Sequence, residues 1–212
     1  MRRPLLARLV ALAVLTAAPA PAEPTPAPAE PMAAVGRLNY AGFRTLMHCT
    51  AALIAPDRAL TAAHCLRDRG PADSVHFLPG LGPAGWTDDL RLVGWAADSG
   101  GRDVALLCLS TRAGAAPLPR SAAGPAVGET LTVVGYPIPR KHAQTRLDCT
   151  VTALGADGGF SLSCPVRPGA SGAPVLRTTA AGSEIVGIVS ATGADRSLAF
   201  DVSRSRALPA CE

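Results

Sequence analysis

The sequence predicts an all-β fold, and three observations lead there. Short apolar runs recur along most of the chain, each bounded by Gly, Pro, Asp or Ser. No window beyond the N-terminal segment sustains a helical period. Six cysteines stand in a chain that opens with an export signal, so disulfides are expected to reinforce a domain with few aromatic side chains.

The predicted strands cover residues 49–54, 60–63, 90–95, 104–109 and 130–135, then 146–154, 160–163, 173–177, 184–190 and 197–202. Their length and spacing suit barrels or sandwiches, and two barrels of about six strands each accommodate them. The break between halves falls in the Ala/Pro/Gly-rich stretch 112–128, with Glu129 heading the next strand.

The N-terminus is an address rather than a fold. Met1-Arg2-Arg3 is followed by an apolar stretch, residues 5–18, interrupted by Arg8 and Thr16. Ala18-Pro19-Ala20 and Ala20-Pro21-Ala22 are small-x-small cleavage candidates, so residues 1–22 read as a secretory signal peptide, too short to anchor in a bilayer. Residues 23–33 form a Pro/Ala-rich linker or short propeptide, and the folded domain is expected over 34–212. The destination is extracellular or periplasmic, and the arginine-rich, nearly lysine-free composition suits a GC-rich bacterial genome. No membrane association is expected once the signal is removed, and a monomer is expected because no long apolar patch or heptad is visible.

Charge argues against nucleic-acid binding. The formal net charge of +4 includes Arg2, Arg3 and Arg8, so 4 − 3 = +1 remains without them. The short basic stretches 67–69, 140–141 and 204–206 read as solvated loops rather than one basic face. No Cys-x-x-Cys occurs and the four histidines are scattered, so no metal or other cofactor is expected.

Three motifs carry chemistry. Gly169-Ala170-Ser171-Gly172-Ala173-Pro174 reads as a tight turn feeding a strand, with the N–H groups of Gly169 and Ser171 free to face one reacting oxygen. Leu60-Thr61-Ala62-Ala63-His64-Cys65 ends a strand on small residues, then a histidine that a neighbouring disulfide would fix as a general base. Asp103 heads the apolar run Val104-Ala105-Leu106-Leu107, where a carboxylate is costly without a partner such as an imidazole N–H. Asp98, in a Gly/Ser loop, is the rival carboxylate.

In the order His, Asp, Ser, these motifs resemble those of the chymotrypsin/trypsin-like serine proteases. The resemblance covers nearly all of the chain after Ala34. It implies a double barrel of two six-stranded antiparallel sheets, with the active site in the cleft between them. It implies a secreted serine endopeptidase acting on protein or peptide through an acyl-enzyme, with His64 as base, Asp103 as its orienter and Ser171 as nucleophile. Gly169 and Ser171 would supply the oxyanion hole, and Ser190, Ala191 and Thr192 would line the primary pocket. The family likeness also pairs Cys49 with Cys65; for the other four cysteines, Cys149–Cys164 and Cys108–Cys211 are preferred among three pairings. The alternative is an inactive pseudoprotease serving as a secreted binding module. An α/β-hydrolase is excluded by motif order and by the β-only pattern.

Two departures stand out. Ala170 occupies the position where trypsin-like chains carry an aspartate that pairs with a new N-terminus, so activation by that ion pair is excluded and a preformed oxyanion hole is expected. In this the chain resembles the bacterial branch that includes the glutamyl endopeptidases. No acid other than Asp157 lies between Leu154 and Ser171, so a preference for Arg or Lys is not expected; Ser190 or Thr192 could bind a polar side chain, and Arg167 or His142 an acidic one.

Overall fold

The computed structural model describes residues 32–40, 47–67 and 69–205. The chain divides into two units, Met1–Glu30 and Pro31–Glu212, and every described residue lies in the second. The signal-peptide reading, residues 1–22, falls outside the described residues, as does Cys211. Among the described residues no helix is long and apolar enough to cross a membrane.

Among the described residues twelve strands form two closed six-stranded barrels. The first contains β1 (Val35–Tyr40), β2 (His48–Ala55), β3 (Arg58–Thr61), β4 (Val75–Pro79), β5 (Leu90–Ala97) and β6 (Ala105–Leu109), paired in the order β1-β2-β3-β6-β5-β4. The second contains β7 (Thr130–Gly135), β8 (Thr145–Leu154), β9 (Gly159–Leu162), β10 (Pro174–Thr179), β11 (Gly182–Thr192) and β12 (Ser197–Asp201), in the order β10-β11-β12-β9-β8-β7. Every strand pairing is antiparallel. Closure leaves no free sheet edge, which suits a chain built from short strands.

Burial follows the sequence pattern. β6 is buried along its whole length, as its unbroken run Ala-Leu-Leu-Cys-Leu requires, whereas β5 alternates buried Leu90 and Leu92 with exposed Arg91 and Val93. The first core extends beyond its own barrel to Tyr136, Leu176, Ile185 and Ile188. The second is filled by residues such as Leu131, Val151, Phe160, Leu162, Val175 and Val186.

Two strands escape sequence reasoning. β1 (Val-Gly-Arg-Leu-Asn-Tyr) and β4 (Val-His-Phe-Leu-Pro) interrupt their apolar residues with Arg37, Asn39 and His76, so neither presents a clean run. Pairing with each other, from Gly36↔Pro79 to Tyr40↔Val75, makes them strands. The strand expected over 60–63 stops at Thr61; Ala63–Cys65 is a 3-10 turn, and this carries His64 off the barrel end.

Cys49 is joined to Cys65 and Cys149 to Cys164. Cys108 is also disulfide-bonded, and no described cysteine is free. In the loop-entropy picture each of the first two closures contributes about 3 kcal/mol.

Candidate active site

His64 and Asp103 are brought together by the register of β3 on β6, in which Thr61 faces Ala105. The chain runs three residues past Thr61 to His64 and starts two residues before Ala105 at Asp103. The imidazole Nδ1–H donates to Asp103 Oδ2 at 2.6 Å, and the His64 backbone N–H donates to Oδ1 at 2.8 Å. The carboxylate thus fixes both ring and backbone of the histidine, and the disulfide from Cys65 to Cys49 ties the turn back to β2.

A third donor completes the carboxylate's surroundings: the Ser190 hydroxyl reaches Asp103 Oδ2 at 2.6 Å. Burial alone would push the Asp103 carboxyl up. Hydrogen bonds from the His64 ring, from Ser190 and from the His64 N–H, with the His64 charge, outweigh it and hold the pKa at about 2. Asp103 is therefore an anion wherever a protein works, and Nδ1 must carry the proton. That leaves Nε2 as the basic lone pair.

Asp98, the rival carboxylate, is used elsewhere. Its buried side chain accepts from the Gly100 and Arg102 N–H groups and pairs with the Arg102 guanidinium at 3.1 Å, shaping the loop that delivers Asp103.

The turn bearing Ser171 is suspended between the barrels. Gly172 N–H donates to Val189 O of β11 at 2.8 Å, and Ser171 O accepts from Thr50 N–H of β2 at 2.8 Å. Thr50 Oγ1 donates to Gly169 O at 2.9 Å and accepts from Tyr136 N–H at 3.1 Å. Gly169 has φ +95°, and a Cβ there would lie 2.5 Å from His48 Nε2 and from Tyr136 O. Conformation and space both demand glycine. His48 Nε2–H donates to that same Tyr136 O at 2.7 Å, so the wall behind Gly169 is itself anchored.

The Ala170 N–H is tied to Arg167 O, while among the described residues the N–H groups of Gly169 and Ser171 have no protein acceptor. Such a pair can bind an oxyanion. Ala170 is buried and carries no charge, so the turn is held by Thr50, Val189 and Arg167 without an ion pair. Among the described residues the Ser171 hydroxyl makes no hydrogen bond to His64; catalytic contacts of this kind often close only on substrate.

Of the residues expected to line the pocket, Ser190 has its hydroxyl on Asp103 and Thr192 directs its own to Gly193 O at 3.2 Å. Each hydroxyl therefore spends its proton within the chain and keeps its acceptor lone pairs. Ser197, buried at the start of β12, donates to Cys164 O at 2.7 Å and accepts from Val166 N–H at 2.8 Å, tying β12 to the segment that leads toward Gly169. Thr50, Ser197 and His48 were absent from the sequence prediction; the one signal for Thr50 is a polar residue inside an apolar run.

Ligand atoms of Cys49, His64 and Cys65 lie within 4.8 Å of one another, yet both sulfurs are joined in the disulfide and offer no thiolate. The trio does not suit a metal.

The comparisons agree with this architecture. No curated protein matches the chain in sequence. Among solved structures, the protease Anisep from Arthrobacter nicotinovorans superposes with a TM-score of 0.66 at 15% identity, over 81% of this chain and 91% of that one. A Glu endopeptidase in complex with MPD gives 0.65 at 19%, over 81% and 85%. An inactivated protease paralogue of the scabies mite gives 0.66 at 19%, over 80% and 88%. At these identities the likeness establishes the fold. The trypsin-like peptidase domain matches residues 49–188, about two thirds of the chain, from the disulfide cysteine beside Thr50 to the middle of β11. With its double barrel, the chain belongs to the trypsin-like peptidase family, a chymotrypsin-like serine endopeptidase by class.

Proposed function

We propose that the protein is a secreted serine endopeptidase in which Ser171, His64 and Asp103 form the catalytic triad. His64 Nε2 takes the Ser171 proton as Oγ attacks the scissile carbonyl, and the N–H groups of Gly169 and Ser171 receive the developing oxyanion. The tetrahedral adduct collapses as the imidazolium gives its proton to the leaving amine, which departs and leaves the acyl group on Ser171. Water then repeats the sequence, with His64 as base, releasing the acid and the free serine. Asp103 stays ionised throughout, orienting the ring and stabilising the imidazolium.

The observation that carries this reading is the pair of hydrogen bonds from His64 to Asp103, one from the ring and one from the backbone, with Ser190 on the same carboxylate. The disulfides and the apolar segment after Arg3 support export. The uncharged, internally braced turn at Ala170 supports an oxyanion hole that needs no newly cut N-terminus. Comparing proteins that begin at Glu23 and at Ala34 checks this, with equal activity expected.

Labelling of the disulfide-bonded protein by a fluorophosphonate, followed by peptide mass spectrometry, tests the triad. Attachment at Ser171 that disappears in His64→Ala is the expected result. A folded protein that takes no label would instead favour a binding module without turnover.

A further inference from the structure

Uncompensated positive charge flanks the catalytic turn on the side away from β11. Residues 136–147 carry Arg140, Lys141, His142 and Arg146 and no acid, in a chain whose charge is otherwise nearly balanced. β1 adds Arg37, whose Nη1 donates to Lys141 O at 3.0 Å and lies 3.3 Å from His142 Nδ1. Arg167 shares a cavity of about 290 Å³ with Pro137 and Thr145, at the foot of the same segment. Among the described residues none of Arg37, Arg140, Lys141 and Arg167 takes part in an ion pair. Arg140 and His142 line a hollow of about 300 Å³ together with Pro83, Pro139 and Ala143.

Position gives the hollow its meaning. Ile138 N–H donates to Pro168 O at 2.8 Å, so the basic segment is fastened to the residue before Gly169. The opposite flank of Ser171 is β11, reached through Gly172 N–H on Val189 O and Ser190 on Asp103. A peptide whose acyl side lies along β11 must leave past Gly169, and Arg140 stands two residues beyond Ile138.

We propose that Arg140 and His142, with Arg37 and Lys141 beside them, form a subsite for acidic side chains located a few residues after the scissile bond. This rests on the catalytic reading above. An isolated surface cation gives little binding energy, but several around one hollow, with no competing acid, act on a substrate carboxylate together. The His142 proton affinity is lowered by burial and by the charges of Arg37 and Lys141, in keeping with a positive field there.

The test uses internally quenched peptides of one cleavable scaffold, with Asp, Gln or Lys placed two and three residues after the cut. For the wild type, kcat/KM is expected to fall in the order Asp, Gln, Lys, by about tenfold across the series, and the spread should shrink as salt is raised. The order is expected to invert in the Arg140→Glu/Lys141→Glu double variant and to flatten in Arg140→Gln/Lys141→Gln, with thermal melting reporting that each is folded. Since the readout is a ratio between peptides on one enzyme, partial loss of activity does not obscure it. Equal rates on all three peptides, or an order unchanged by charge reversal, overturn the subsite. A fluorophosphonate has no residues beyond the reacting atom and separates the two ideas. Labelling at Ser171 with no charge discrimination removes the subsite alone, whereas absence of labelling removes the catalytic reading and the subsite with it.

Discussion

Thr50, on β2 of the first barrel, donates its hydroxyl to the carbonyl of Gly169 in the second, 2.9 Å away, while its own N–H holds Ser171 O. One buried threonine therefore holds the carbonyls of both residues that flank Ala170, Gly169 and Ser171. The histidine and carboxylate come from the first barrel and the serine turn from the second, so the geometry of the site depends on such cross-barrel bonds.

Thr50→Val preserves shape and deletes the hydroxyl, leaving Gly169 O and Tyr136 N–H without their partner. Each buried group so stranded costs about 1–3 kcal/mol. Small displacements of a catalytic turn reduce kcat by up to about a hundredfold. We expect a lower Tm and a fall in kcat with KM little changed, both recovered by Thr50→Ser. A valine variant with full kcat would show that Thr50 stabilises the fold without positioning the turn.

Ser190 allows a prediction in acid. The Asp103 pKa is held at about 2 against an ordinary 3.8, so the stability this carboxylate contributes is present above pH 3.8 and lost as pH falls toward 2. Ser190→Ala removes one of the donors that lower the value. The acid-unfolding midpoint should therefore move to higher pH, with little change in stability near neutrality beyond the lost hydrogen bond. Urea midpoints measured from pH 2 to 7 check it; parallel curves for wild type and variant would count against the coupling.

How much of this was legible in the sequence follows from what each residue depends on. β6 and β7 announce themselves because their burial pattern is intrinsic to the run. β1 and β4 do not, since their strand character comes from pairing with each other. His64, Asp103 and Ser171 stand out in the sequence because small residues or an apolar strand surround each of them, and the structure brings His64 and Asp103 together. Thr50 does not stand out: a threonine is ordinary in a strand, and its importance lies in residues more than 85 positions away. The Ser190 hydroxyl's partner was not legible either, because a side chain on β11 faces whichever neighbour the barrel supplies, and here that is Asp103. Likewise the basic stretch 140–141 reads as a solvated loop until Arg37 is seen beside it.

Arg177 holds the connection between barrels. From β10 its guanidinium pairs with Glu129 through Nε and Nη2 and with Glu184 through Nη1, and it donates to Ser121, Ala123 and Gly124. Arg177→Ala should cost about 2–3 kcal/mol and lower Tm, while the folded fraction keeps its rate of Ser171 labelling. Lysine cannot reproduce the fork and should recover only part of the loss. The Glu129 pKa is lowered, chiefly by Arg177, so this clamp is intact above the ordinary carboxylate range and weakens as pH drops below it. Its contribution should disappear from a wild-type-minus-variant comparison at low pH.

Two glycines separate backbone strain from lack of space. Gly172 has φ +80° and Gly128 has φ +85°, so alanine is strained about equally at both. Around Gly128 nothing lies within 4 Å of an added Cβ, whereas at Gly172 the Cβ would stand 2.1 Å from Thr61 Oγ1 and 2.2 Å from Thr50 O. Thr61 is itself bonded to Thr50 O, so neither atom can retreat without opening the junction of the barrels. Gly128→Ala should therefore cost only about 1 kcal/mol, the usual price of a left-handed alanine, and label normally at Ser171. Gly172→Ala should fail to close the serine turn, giving little folded protein and no labelling in what folds. Thermal melting and labelling of the two variants side by side distinguish the causes. Equal losses at both positions would mean that conformation alone selects glycine next to Ser171, and that the Thr50–Thr61 contact does not shape the turn.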